Sequence, residues 1–149
     1  MRVLIQRVTE AKVTIDESEH SSISKGLLIL VGIENKDTDD DIEYLCNKII
    51  NLRIFDDKNG VMNESVLQTQ GHIMVISQFT LHANTRKGNR PSYIKAAKPE
   101  IAIPMYEKFC KQLETQSGIE IQTGEFGADM KVSLVNDGPV TIWIDSKDK

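Results

Sequence analysis

A continuous apolar run at residues 27–33 constrains the fold of this chain more than any other feature of its sequence. Strands that are half exposed alternate apolar and polar residues, whereas this run has no polar side chain. It therefore predicts a strand that is covered on both faces, with one layer of structure above it and another below. A chain of 149 residues is long enough to bury a single core of this kind.

Two helices are predicted around this strand. Apolar residues recur at helical spacing over residues 42–52, after acidic residues in the first turn, and again over residues 99–116. Gly118 is a suitable end for the second helix. Pro104 lacks the N–H that a helix interior needs, so we expect this helix to begin near Pro104 or to have a distorted first turn.

The remaining periodic segments predict strands, which together with the two helices indicate one mixed α/β domain over residues 1–149. The opening is predicted to be a hairpin with a tight turn at Thr9-Glu10, and residues 56–60 form a turn cluster. The predicted strands are residues 2–8, 11–16, 27–33, 72–77, 119–123, 131–135 and 140–144.

Composition excludes several classes of protein. A net charge of −4 argues against a non-specific nucleic-acid coat. No run of about 18 apolar residues predicts a membrane span, and the N-terminal residues lack the pattern of a signal peptide, so we expect a cytoplasmic protein. Cys46 and Cys110 lie far apart and outside any Cys-x-x-Cys motif, which predicts buried, reduced thiols.

Polar side chains follow the predicted strand at residues 72–77. The segment Ser77-Gln78-Phe79-Thr80-Leu81 offers hydrogen-bond donors and acceptors at a strand end but no strong base. One interpretation is a ligand site at this strand end. The other is a strand that simply reaches the surface.

The segment Asn136-Asp137-Gly138-Pro139-Val140-Thr141 lies between two predicted strands. Asp-Gly and Gly-Pro are common turn pairs, so one interpretation is a hairpin turn. The alternative is a cis peptide before Pro139, because only X–Pro bonds adopt the cis form at modest cost.

Residues 86–98 contain five basic side chains and no acidic one. They predict either a solvated loop or a surface that contacts phosphates, with Arg86, Lys87 and Arg90 as the first candidates. None of the three histidines, at positions 20, 72 and 82, has a partner at metal-ligand spacing, and no nucleotide-binding fingerprint is present. We therefore expect no metal and no cofactor.

The 77–81 and 136–141 segments together resemble the two signature motifs of the D-aminoacyl-tRNA deacylase family. Residues 1–8, 87–92 and 123–130 are also similar to family segments. The resemblance implies a three-layer α/β/β fold, in which a mixed sheet is covered by two main helices and packs on further strands. It also implies a homodimer with its two active sites at the interface, acting on the 3′ end of aminoacyl-tRNA.

The implied activity is hydrolysis of the ester of D-aminoacyl-tRNA and of mischarged glycyl-tRNA, a proofreading reaction that rejects L-aminoacyl groups. The resemblance makes Ser77, Gln78, Phe79 and Thr80 the catalytic segment. The N–H groups of Phe79 and Thr80 would hold the carbonyl oxygen as it gains charge. Ser77 and Gln78 would bind the terminal ribose.

The resemblance also implies the residues for chiral selection. Gly138 and Pro139 would reach across from the partner subunit as a cis dipeptide, accept from the substrate amino group and crowd the position of an L side chain. Arg7 would brace this dipeptide, Ala102 would add a backbone contact near the pocket, and Arg86, Lys87 and Arg90 would contact tRNA.

The nucleophile is left open between two possibilities. Thr80 could attack the ester, but the sequence shows no base to activate it. Alternatively, the 2′-hydroxyl of the tRNA ribose assists a water molecule. Apart from the resemblance, the residues also permit a small RNA- or nucleotide-binding module without turnover, or a structural dimer that uses its first strand and the Gly138-Pro139 segment only for self-association.

Overall fold

The structure, a computed structural model, describes all residues from 1 to 149 and contains eight strands and two helices. A single 3-10 turn, Phe79–His82, follows β6. The strands are β1 (Arg2–Ile15), β2 (Ser18–Ile23), β3 (Gly26–Gly32), β4 (Phe55–Asp56), β5 (Met62–Glu64), β6 (His72–Ser77), β7 (Ile121–Thr123) and β8 (Lys131–Asp145), and the helices are α1 (Asp39–Asn51) and α2 (Pro99–Ser117).

The main sheet is mixed and has the order β2-β1-β3-β6-β7, with β8 also paired to β1. β3 pairs parallel with β6, and β6 pairs parallel with β7, whereas β1 is antiparallel to all three of its partners. β4 and β5 form a separate two-stranded sheet. Neither α1 nor α2 has the combination of length and apolar composition that a membrane-spanning helix requires.

The strand predicted from the apolar run at residues 27–33 is confirmed as β3, and the structure shows which elements cover each of its faces. Leu27, Ile29 and Val31 pack into the large core with residues of α1 and α2. Leu28, on the opposite face, packs into a smaller core made of β1, β2 and β6 residues, with β8 residues against it. The helices thus form one layer, and the curled ends of β1, β2 and β8 form another, which confirms the α/β/β arrangement.

The opening hairpin was predicted at the wrong place. β1 continues through Thr9 and Glu10, and the turn to β2 lies at Asp16 and Glu17, which both have positive φ angles (49° and 63°). The pairing of β1 with β8 is irregular between Gln6 and Glu10, so β1 bends there as it passes from one layer to the next. The exposed polar residues Thr9 and Glu10 therefore lie at this bend and not in a turn.

The hairpin interpretation of residues 136–141 is also wrong. Both predicted strands belong to β8, which pairs with β1 on either side of this segment: Gln6 opposes Thr141, and Val8 opposes Asn136. Arg7 alone therefore faces the four residues 137–140, which bulge out of β8. The alternative is present in the structure, since the Gly138–Pro139 peptide is cis.

Both predicted helices are confirmed. Thr38 and Asp41 form a capping box at the start of α1. α2 begins at Pro99, five residues before Pro104, and runs through Pro104 without ending. Gly118 ends α2 in the left-handed conformation (φ 68°).

The two cysteines are free thiols on the inner sides of the helices. Cys46 is buried, and Cys110 is half-buried. Burial raises the pKa of each thiol to about 12, so both stay protonated at neutral pH.

Candidate active site

The 3-10 turn after β6 presents two free N–H groups. The N–H of Gln78 continues the parallel pairing by donating to Val31 O at 2.7 Å, and the first hydrogen bond of the turn runs from Leu81 N–H to Gln78 O at 3.2 Å. The N–H groups of Phe79 and Thr80 come before that bond and have no partner among the turn and loop hydrogen bonds. They are therefore available to a ligand.

The turn packs on Gly32, the last residue of β3. A Cβ atom at position 32 would lie 3.0 Å from Gln78 O and 3.0 Å from Leu81 Cβ. These contacts are tighter than most Cβ contacts, so a side chain at position 32 would require the turn to shift by a few tenths of an ångström. Sequence reasoning missed this residue, because it lies inside the apolar run and was read only as part of the strand.

A cleft of about 330 Å³ opens beside the turn. Ser77, Gln78 and Phe79 line one wall, and residues 126–130 line the other. Its lining is mainly apolar, which suits an apolar group of a ligand. Residues 126–130 were recognised in the sequence only as part of a family-like segment.

Ala102 also lines this cleft, near the start of α2. Its N–H already donates to Lys98 O at 2.8 Å, so this N–H is not free for a ligand. The buried side chain of Ala102 is small and leaves room at the cleft.

The hydroxyl oxygen of Thr80 accepts a hydrogen bond from Gln78 Nε2 at 2.5 Å. That amide is its sole side-chain partner, and no histidine or carboxylate reaches it. An amide nitrogen cannot remove a proton, so the structure shows no general base for Thr80.

Phe79 exposes its ring and meets Tyr93 edge-on, with 5.0 Å between ring centroids.

Arg7 binds the bulge of β8 through a hydrogen bond and an ion pair with Asp137. It is 6% exposed, and its Nε lies 3.2 Å from both the backbone oxygen and the carboxylate of Asp137. Its Nη1 donates to Ile54 O at 2.7 Å and to Asp56 Oδ1 at 3.2 Å. A Cβ atom at Gly138 would lie 3.1 Å from Arg7 Nη2, and Gly138 has a φ of 117°, so this position favours glycine.

Asn136 closes the base of the bulge, a role that sequence reasoning missed. Its Nδ2 donates to Arg7 O and to Val140 O, both at 3.0 Å, and its Oδ1 accepts from Thr141 Oγ1 at 3.1 Å. Gly138 and Pro139, at the tip, are exposed and do not line the cleft of their own chain. The sequence-predicted site residues therefore form two groups, the turn with its cleft and the bulge with Arg7.

The basic residues form an exposed loop next to the turn. Asn84 and Ser92 pair through two backbone hydrogen bonds of 2.8 and 3.0 Å and close the loop that carries Arg86, Lys87 and Arg90. All three side chains are exposed, and none forms an ion pair within the chain. Such a loop presents positive charge that no acidic side chain of the chain neutralises, next to the turn.

His82, the last residue of the turn, is buried, and neither ring nitrogen has a hydrogen-bond partner. Burial lowers its pKa, and the positive charge of Arg2 acts in the same direction, so the ring is neutral at pH 7. No group of three or more His, Cys, Asp or Glu side chains is arranged to hold a metal ion.

Comparison with known proteins gives one consistent family. The family described as D-Tyr-tRNA(Tyr) deacylase matches residues 4–145. A protein of Bacteroides fragilis named D-aminoacyl-tRNA deacylase is 68% identical over 149 residues, which cover 100% of this chain and 99% of the relative.

Two solved structures share the fold. One, described as c-Myc DNA Unwinding Element Binding Protein, is 40% identical, has a TM-score of 0.93 and aligns with 97% of this chain and 98% of its own. The other, described as a probable eukaryotic D-amino acid tRNA deacylase, has a TM-score of 0.82 and covers 96% of this chain and 97% of its own. At 14% identity, the second likeness concerns the fold alone.

Proposed function

The chain belongs to the D-Tyr-tRNA(Tyr) deacylase family, and on that premise we propose that it hydrolyses the ester that joins a D-amino acid to tRNA. It is then a hydrolase of carboxylic esters, which releases a free D-amino acid and tRNA. The observation that supports this most directly is the pair of free N–H groups at Phe79, which lines the cleft, and at Thr80, the next residue of the turn.

These two N–H groups suit the developing charge of ester hydrolysis. As a nucleophile adds to the carbonyl carbon, the oxygen becomes negative, and preorganised donors stabilise it more than they stabilise the substrate. One such donor contributes about 3–4 kcal/mol. We propose that Phe79 and Thr80 supply the donors and that Ser77 and Gln78 bind the terminal ribose.

We propose that water, and not Thr80, attacks the ester. Thr80 has Gln78 as its side-chain partner, and an amide cannot activate a hydroxyl. The substrate is already an activated ester, so positioning and charge stabilisation supply most of what the reaction needs. The ribose 2′-hydroxyl next to the ester can assist the water.

Chiral selection requires a second copy of the chain in this proposal. Gly138 and Pro139 are exposed at the tip of a braced bulge, yet they are absent from the cleft of their own chain. We propose a homodimer in which the bulge of one subunit enters the cleft of the other. Its main-chain carbonyls accept from the substrate amino group and occupy the space that an L side chain would need, so glycine is accepted with D-amino acids.

The basic loop gives the tRNA a place to bind. Arg86, Lys87 and Arg90 are exposed on the loop that follows the turn and have no acidic partners, and backbone phosphates of the acceptor end can neutralise them. Because aminoacyl-tRNA is the substrate, we place the reaction in the cytoplasm, as part of proofreading and of D-amino acid removal.

A deacylation assay with the same tRNA charged with a D-amino acid, its L counterpart or glycine tests the proposal. We expect release of the D-amino acid and of glycine and retention of the L ester. Binding without release of any amino acid would favour the RNA-binding module. Neither binding nor release would favour the structural dimer.

A further inference from the structure

A row of three residues across the sheet supports the catalytic turn. In the strand register, Arg2 on β1 pairs with Gly32 on β3 and with Asp145 on β8. Gly32 is the residue on which the turn packs. The same row therefore brings a guanidinium group next to the contact between the turn and the sheet.

Arg2 joins this row to the turn through a backbone carbonyl. Its Nη1 donates to Leu81 O at 3.0 Å, and its Nε donates to Asp145 Oδ2 at 2.8 Å. The other carboxylate oxygen of Asp145 accepts from the Lys147 N–H at 3.0 Å, and the guanidinium lies 5.6 Å from the ring centroid of Trp143. The Arg2 side chain is 29% exposed and that of Asp145 17%, so both partners are shielded in part from water.

The charge on Asp145 is maintained by these contacts. Burial alone would raise its pKa, but hydrogen bonds from the Lys147 N–H and from Arg2 lower it below the usual aspartate value. The carboxylate therefore fixes the guanidinium in one orientation at neutral pH, with Nη1 directed at the turn.

We infer that Arg2 is a positioning residue for ester hydrolysis: held by Asp145, it fixes the Leu81 carbonyl and with it the turn that carries the Phe79 and Thr80 N–H groups. This inference rests on the proposed function of those N–H groups. Arg2 itself reaches the reaction only through the turn.

The turn needs such an anchor because it is only four residues long. Its ends are joined to the neighbouring residues by the bonds from Leu81 N–H to Gln78 O at 3.2 Å and from Ala83 N–H to Thr80 O at 3.0 Å. Short 3-10 turns have poor hydrogen-bond geometry, so contacts with the rest of the protein decide their orientation. A small displacement of the donors reduces the rate steeply without changing how the rest of the substrate binds.

Arg2→Met tests this directly, since methionine keeps the apolar stem and removes every donor. We expect kcat for D-aminoacyl-tRNA to fall on the order of tenfold or more, with KM unchanged. Arg2→Lys should recover part of the loss, because an ammonium group can donate to one of the two acceptors. The matched control is Arg53→Met, which removes an exposed guanidinium that donates to Asn63 O at 2.9 Å and should leave kcat unchanged.

Amide hydrogen exchange at Leu81 and Ala83 gives a readout that does not depend on activity. We expect faster exchange at both amides in Arg2→Met and in Asp145→Asn, and wild-type exchange in Arg53→Met. If the wild type releases no D-amino acid, the proposed function fails while exchange still reports on the anchor. If Arg2→Met does not fold, kcat and amide exchange are compared with the wild type in Arg2→Lys and Asp145→Asn instead.

Unchanged kcat in Arg2→Met, or unchanged exchange at Leu81 and Ala83, would overturn the inference. An equal loss of kcat in Arg53→Met would do the same, because the effect would then follow from removing any arginine. A rise in KM with constant kcat would also contradict it, since it would place Arg2 in substrate binding.

Discussion

At the scale of single residues, Thr80 decides between two mechanisms. Its hydroxyl is paired with the Gln78 amide, and the turn around it contributes N–H groups that alanine at position 80 would leave in place. We expect Thr80→Ala to retain activity within about tenfold of the wild type. Loss of the nucleophile in a serine hydrolase costs on the order of 10⁶ in kcat, so the two outcomes are far apart.

Single-turnover release of a radiolabelled D-amino acid measures this difference. Thr80→Ser, which keeps the hydroxyl, is the control and should match the wild type. Near-complete loss of activity in Thr80→Ala, with an acyl-enzyme detected by mass spectrometry in the wild type, would establish covalent catalysis by Thr80.

The candidate segment could be singled out from the sequence, but its geometry could not. Consecutive polar side chains after a buried strand left two interpretations open, a ligand site or a strand that reaches the surface, and only the family resemblance favoured the first. Gly32 and Asn136 gave no local signal, because each acts on a segment that is distant in sequence: one lets the turn approach β3, and the other ties the bulge to Arg7. Only the folded chain brings these partners together.

At the scale of elements, the start of α1 is held by a charged network. Burial alone would raise the pKa of Asp41, but hydrogen bonds from the Lys147 ammonium, the Ser146 hydroxyl and the Thr38 N–H outweigh it and lower the pKa far below 3.8. The pKa of Asp41 is lower in the folded than in the unfolded state, so its contribution to the free energy of unfolding is complete at pH values above the unfolded-state pKa. That contribution is lost as the pH falls through the folded-state pKa.

Asp41→Asn should therefore lower the free energy of unfolding by about 1–3 kcal/mol at pH 7. Urea unfolding at pH 7 and again well below 3.8 measures the difference, which should shrink at the lower pH because the wild type progressively loses its contribution between the unfolded-state and the folded-state pKa. Asp129→Asn removes an exposed carboxylate that pairs with Lys131 and should change little at either pH. A deficit of Asp41→Asn that stays constant between the two pH values would contradict this account.

The elements that periodicity could predict are those that stay in one layer. β3, β6 and both helices were found from their apolar spacing, since each buries one regular face or stripe. β1 and β8 were each divided in two, because polar or Gly-Pro residues inside a strand have the same composition as a turn. Whether such residues bend a strand or end it depends on the partner strand, and here β1 and β8 remain paired on both sides of the irregularity.

At the scale of the whole molecule, the three layers follow from one requirement of the sequence. β3 is apolar on both faces, so it needs helices on one side and further strands on the other, and the long β1 and β8 supply the second cover by curling over the sheet. The same curl leaves the 137–140 bulge on the outside of its own chain. The proposed dimer assigns a role to this bulge in the cleft of a second copy.

Subunit mixing tests that assignment. Phe79→Pro removes one N–H from the turn at a position where a helix tolerates proline, and Gly138→Val places a side chain at a φ of 117°, against Arg7. Phe79→Pro alone should be inactive on D-aminoacyl-tRNA. Gly138→Val alone should be either inactive or unable to distinguish D from L esters. In a mixed dimer, the turn of the Gly138→Val subunit meets the bulge of the Phe79→Pro subunit, and one site of the two is intact.

Random reassociation of equal amounts makes about half of the dimers mixed, so D-selective activity should return to about a quarter of the wild-type value. Mixing without unfolding and refolding is the control and should restore less, because subunits that keep their original partners form no mixed dimer. If every cleft is completed by the bulge of its own chain, the refolded mixture stays as inactive or as unselective as its components.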